Sequence, residues 1–197
     1  SEWWTYRPAD FLMFAPRIYW RLFESINAAV WPAQLLLVGA APAWLLWFVR
    51  RGVEAAPRAS AVALGLSWLF VAWAFLLQRF APINWAAESF ALAFALQGLG
   101  LLALVGCGPL QVSALPARRT AGLGFRLWAL LGQPLLAGLA GRPWTQAEVF
   151  GLAPDPTAIG TLGWLLLLQG HRARARLLLR GLWLVPLAWC VISAATL

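Results

Sequence analysis

Long apolar stretches alternate with short polar connections along the 197 residues of this chain. A helix needs about 20 mostly apolar residues to cross a hydrocarbon layer about 30 Å thick. Six stretches are read as such helices: about Ala28 to Val49, Ser60 to Leu77, Trp85 to Leu110, Ala121 to Ala140, Pro156 to Gln169, and Leu182 to Leu197. The fifth is short and begins at Pro154-Asp155-Pro156, so it reads as a half-span or a strongly tilted helix. Extending it backwards through Phe150-Gly151-Leu152 allows a full crossing.

The pattern changes before the first stretch. From Asp10 to Asn27, apolar positions (Phe11, Leu12, Phe14, Ile18, Tyr19, Leu22, Phe23, Ile26) recur at helical spacing, with Arg17, Arg21 and Glu24 opposite. Such a helix lies in the plane of a membrane interface, or it packs against other helices or a partner protein. Phe11, Phe14, Tyr19, Trp20 and Phe23 are its candidate docking residues. The expected fold is therefore all-α: a polytopic membrane helix bundle of about six transmembrane helices (residues 28–197) behind an N-terminal interfacial amphipathic segment (residues 1–27).

Charge gives this bundle a direction. All 15 cationic side chains are arginine, and most fall in three clusters: Arg50, Arg51 and Arg58; Arg118, Arg119 and Arg126; Arg172, Arg174, Arg176 and Arg180. The alternate connections hold only Arg79 and Arg142. Loops rich in Arg and Lys stay on the cytoplasmic side during insertion. The expected location is thus a bacterial inner membrane, with both termini on the periplasmic side. Of the 14 tryptophans, Trp31 and Trp85 fall at the expected outer ends and Trp44, Trp47, Trp128 and Trp183 near inner ends, where indoles anchor at headgroup level.

Composition agrees. Hydrophobic residues make up 62% and charged residues 11%, against about a quarter charged in soluble domains. The net charge of +8 sits at the ends of apolar stretches and not along one exposed face, which argues against nucleic acid. Anionic lipid is the expected contact for Arg50, Arg51, Arg118, Arg119, Arg172, Arg174 and Arg176. Cys107 and Cys190 lie in apolar stretches and read as unpaired small hydrophobes. The single histidine, His171, stands among arginines. Neither a metal centre nor a catalytic triad is expected from such residues, and no metal-binding or phosphate-loop motif is present.

Ionisable groups at membrane depth are costly and therefore informative. Glu88, about one turn inside the third stretch, is the clearest, with Arg79 and Asn84 close in sequence. Read structurally it forms an ion pair with Arg79; read functionally it is a proton or cation ligand. Asp155, between two prolines, reads either as a helix cap or as part of an outer polar site balanced by Arg142. Arg79, Asn84, Glu88, Arg142 and Asp155 make up that candidate site.

Several phrases occur together in order: Tyr19-Trp20-Arg21-Leu22-Phe23-Glu24-Ser25-Ile26-Asn27 with Trp31-Pro32-Ala33-Gln34; Ile83-Asn84 with Ala87, Phe90, Phe94 and Gln97-Gly98; Phe150-Gly151-Leu152-Ala153-Pro154; Pro156-Thr157; Thr161-Leu162-Gly163; and Val185-Pro186-Leu187 with Trp189. Over about residues 11 to 197 the chain resembles an uncharacterised bacterial family of six-helix integral membrane proteins, classed only as a domain of unknown function. The resemblance implies that fold and no assigned activity. Where that family tends to have cysteine between the prolines this chain has Asp155, and where it tends to have Gly-His this chain has Gly141-Arg142.

The expected function is a non-catalytic integral membrane subunit of a larger bacterial photosynthetic or respiratory complex, acting in assembly, stabilisation or packing of lipid and cofactors. It is expected to carry no cofactor of its own, though lipid, pigment or quinone can contact its surface. The alternative is a small transporter or channel with an acidic site on the outer side.

Overall fold

A computed structural model describes residues 16–39 and 55–196. The expectations for Phe11, Phe14, Arg50, Arg51, Trp44 and Trp47 lie outside the described residues. The described chain is mostly helical. Among the described residues, three helices are long and apolar enough to cross a membrane: Pro57–Phe80, Ala87–Cys107 and Ala173–Ala195. A bent pair, Arg17–Ala29 with Ala33–Gly39, makes a fourth if counted as one span.

The first two helices are α1 (Pro16–Ala29) and α2 (Ala33–Gly39). They meet at 96°, so the expected straight first span from Ala28 does not form across residues 28–39. Pro32 stands in the bend and has no N–H to continue a helical ladder. Of the readings open for the amphipathic α1, packing against the chain's own helices is the one the structure shows for its apolar face. Its apolar face, carrying Tyr19, Phe23 and Ile26, is buried in the chain's own core. Phe23 stacks on Phe75 with ring centroids 5.2 Å apart, and Tyr19 meets Phe75 and Phe80 edge-on. Tyr19 and Phe23 are therefore consumed inside the chain and do not present a docking surface to a partner.

Helix α3 (Ala55–Phe70) continues through a wide π turn, Val71–Phe80. It packs along α4 (Ala87–Leu104). The crossing is close because glycines face each other: a Cβ on Gly98 would lie 2.8 Å from the Gly65 carbonyl oxygen. Small residues allow this kind of close backbone approach.

Helices α5 (Pro116–Leu127) and α6 (Gln133–Leu139) are joined by a π turn, Trp128–Gly132, just ahead of Pro134. This long element covers the expected fourth span. Arg118, Arg119 and Arg126 sit on its first half, and it does not number among the apolar candidates.

Helix α7 (Pro154–Leu167) is the post of the bundle. Nearly every residue of it is buried, and it packs against α5, α9 (Leu184–Thr196) and α3. At about 1.5 Å per residue, its 14 residues span too little to cross a bilayer alone. Its contact with α5 again runs through glycines, since a Cβ on Gly163 would lie 2.7 Å from the Gly122 carbonyl oxygen.

The end of α7 holds an unexpected element. Strands β1 (Leu110–Val112) and β2 (Leu168–Gly170) pair antiparallel, with Gln111 opposite Gln169. The last arginine cluster also differs from expectation. Instead of lying in a loop, Arg174, Arg176 and Arg180 belong to α8 (Ala173–Gly181), which leads into α9 as one long apolar candidate.

Candidate functional site

Asp155 lies in the first turn of α7, behind Pro154. Proline suits a helix start because its missing N–H is not needed there. Asp155 does not cap that helix with its side chain. Its carboxylate points instead to α9: Trp189 Nε1 donates to Oδ1 at 2.6 Å, and Ser193 Oγ donates to Oδ2 at 2.8 Å. The carboxylate is 8% exposed and the indole 5%. The Trp189 ring packs edge-on against Phe90 and Phe94 of α4. One acidic side chain thereby fastens three helices.

Below it, α7 carries a ladder of threonines. Gly151 N–H donates to Thr157 Oγ1 at 2.9 Å, while Thr157 Oγ1 donates to the Ala153 carbonyl at 2.7 Å. Thr161 Oγ1 donates one turn back to the Thr157 carbonyl at 2.7 Å and accepts from Trp68 Nε1 at 2.8 Å. Trp68 is fully buried and belongs to α3. Gly151 adopts φ of +82°, a left-handed conformation in which a side chain is strained. That turn aims its N–H at Thr157.

A second polar centre lies in the connection before α7. Arg142 pairs with Glu148 at 3.5 Å, and its guanidinium stands 5.0 Å from the centroid of the Trp20 ring on α1. Asn27 Nδ2 donates to the carbonyls of Thr145 and Ala147 at 2.8 and 2.9 Å. Gln146 Nε2 donates to Glu24 Oε2 at 3.2 Å. The far side of α1 thus clasps this loop as its apolar face grips the core. Burial pushes the Glu148 carboxyl up to about 7; the negative charge of Asp155 adds to the rise, and Arg142 opposes it.

The five residues expected to converge do not bond to one another. Arg79 donates to Ser25 Oγ at 3.1 Å and to the Ala74 carbonyl, not to Glu88. Glu88 is exposed in the first turn of α4. Asn84 Oδ1 accepts from the Ala86 N–H at 2.9 Å, a local turn contact. Arg142 and Asp155 stay in the buried region with separate partners, Arg142 with Glu148 and Asp155 with Trp189 and Ser193. Sequence spacing points to Glu148 no more than to any loop carboxylate. Trp189 and Ser193, four positions apart in one apolar stretch, do share a helix face.

At the other end, Arg119, Arg172, Arg174 and Arg176 are exposed. Arg176 donates to the His171 carbonyl at 2.6 Å. Among the described residues, no group of three or more His, Cys, Asp or Glu side chains is arranged to hold a metal ion.

A family model described as a family of unknown function, DUF6064, matches residues 16–197. The chain belongs to the DUF6064 family. Comparison with curated proteins and with solved structures gave no match. The match takes in both polar centres, so the Asp155–Trp189 fastening and the Arg142–Glu148 pair lie within the DUF6064 region and not in an appended segment.

Proposed function

We propose that this DUF6064 chain is a non-catalytic integral membrane subunit of a larger bacterial complex, photosynthetic or respiratory, that acts in assembly and stabilisation. The observation that carries the reading is the spending of polar groups along α7. Both carboxylate oxygens of Asp155 accept hydrogen bonds, and Thr157 and Thr161 each donate one and accept another. A catalytic or ligand-binding group keeps capacity for its substrate, whereas these have partners inside the fold. Outward faces supply the complementary support. Leu92, Leu96 and Leu99 of α4, with Leu184, Leu187 and Val191 of α9, are exposed and suit lipid or the helices of a neighbouring subunit.

In this reading six helices lie in the inner membrane, with the arginine-rich end cytoplasmic and anionic lipid at Arg118, Arg119, Arg172, Arg174 and Arg176. Extraction in mild detergent, a native gel and mass spectrometry of co-migrating proteins test it. The expected result is migration with a defined larger assembly. Migration alone, as a monomer or homo-oligomer, overturns it.

A small transporter is the second reading, and one feature favours it: burial pushes the Glu148 carboxyl up to about 7, a range suited to taking up and releasing a proton. A flux assay with Glu148→Gln and Asp155→Asn separates the two. The transporter loses transport in both variants; the subunit stays in its complex when only Glu148 is changed.

A further inference from the structure

A cleft of about 720 Å³ opens between the α1–α2 bend on one side and the π turn and start of α6 on the other. Its volume falls within the roughly 300–1,000 Å³ of small-molecule sites. The walls are mostly hydrocarbon, from residues such as Leu35, Val38, Leu130 and Leu135. Trp31 and Trp144 line it as well and are exposed.

Two side-chain amides line the same cleft. Asn27 is 4% exposed, and both of its Nδ2 hydrogens go to the loop carbonyls of Thr145 and Ala147. Gln34 Nε2 donates to the Asn27 backbone carbonyl at 3.1 Å. Those bonds fix which end of each amide is nitrogen. The oxygens, Asn27 Oδ1 and Gln34 Oε1, are shut away from solvent and accept nothing. A buried acceptor without a donor is costly, and two against one apolar cleft make a demand for a donor. The Glu24 carboxylate also lines the cleft, with Oε2 taken by Gln146.

We propose that this cleft binds a single-chain lipid whose head group donates a hydrogen bond, with its hydrocarbon along the leucines and its head at Gln34. A hydroxyl or an ammonium meets the demand; an ether or ester head, which only accepts, does not. Reaching Gln34 Oε1 takes a turn of the Gln34 side chain, which is anchored by one bond; Asn27 stays fixed by two and shapes the wall. The site stands whether the chain is a subunit or a transporter, since neither reading uses these amides.

The test uses the full chain in phosphatidylcholine nanodiscs, titrated with 12-bromododecan-1-ol and, separately, with its methyl ether. Bromine quenches nearby indoles, and the quenching lost in the Trp31→Phe/Trp144→Phe variant reports the cleft. The alcohol is expected to saturate this component at about tenfold lower membrane concentration than the ether, the worth of one well-placed hydrogen bond. Gln34→Leu is expected to erase most of that preference. Equal quenching by alcohol and ether in the unmodified chain overturns the proposal. So does an alcohol preference that survives in Gln34→Leu.

Discussion

The indole N–H of Trp189 reaches across from α9 to the carboxylate of Asp155 at the start of α7, with 2.6 Å between nitrogen and oxygen. Both groups are buried. The bond couples the last helix to the central post, and Asp155→Ala removes its acceptor while leaving two donors stranded. The expected loss is about 2–4 kcal/mol. Asp155→Asn retains one acceptor oxygen and is expected to lose less. Unfolding by SDS titration of the protein in mixed micelles, followed by circular dichroism, ranks the variants; Asp155→Ala as stable as the unmodified chain would contradict the fastening role.

Trp189→Phe separates the bond from the packing. The ring contacts with Phe90 and Phe94 survive in part, but the donor is gone. A double-mutant cycle with Asp155→Ala is expected to give a coupling energy of about 1–3 kcal/mol. Additive effects would mean that the bond contributes nothing of its own.

The glycine contact between α5 and α7 leaves no room for a methyl group. A Cβ on Gly163 meets the Gly122 carbonyl oxygen at 2.7 Å and the Arg126 Cγ at 2.8 Å. Gly163→Ala is expected to push the helices apart and cost about 1–3 kcal/mol. Gly124→Ala, on the partner helix α5 but with nothing within 4 Å, is the control and is expected to be neutral or slightly stabilising. Equal melting temperatures for the two variants would refute the close crossing.

Glu148 gives a pH dependence of known sign. Its carboxyl titrates near 4.5 when unfolded and is raised to about 7 when folded. Below about 4.5 it is neutral in both states, so burial carries no ionisation penalty. As pH rises towards about 7, the unfolded chain loses its proton first and stability falls, by at most about 3 kcal/mol. Glu148→Gln is expected to flatten the decline between pH 5 and 7. A variant whose stability follows the same slope as the unmodified chain would show that Glu148 is not held in this environment.

Much of this architecture was legible before any coordinate. Apolar runs give α3, α4 and α9, because a helix of about 20 apolar residues leaves a composition signal that packing does not alter. The bend after Ala29 was not legible, because Pro32 marks a weak point without telling how far the chain turns. Asp155 drew notice by standing between prolines, yet its partners lie 34 and 38 residues away, a pairing set by the crossing of α7 and α9. Glu88 misled for the opposite reason. Its neighbours in sequence suggested an ion pair, but Arg79 turns towards Ser25 on α1, which no local pattern reports. Tyr19 and Phe23 carry the amphipathic signature of a membrane-surface or docking helix; periodicity states that a face is apolar and not what covers it.

The proposed function requires these helices to be embedded in a membrane, with the arginine-rich end inside the cell. Single cysteines at exposed Glu88 and Arg174, in a background where Cys107 and Cys190 are changed to serine, test it with a membrane-impermeant maleimide. Glu88→Cys is expected to label in intact spheroplasts, and Arg174→Cys only after permeabilisation. Labelling of Arg174→Cys from outside, or equal labelling of both before the membrane is opened, would contradict the account.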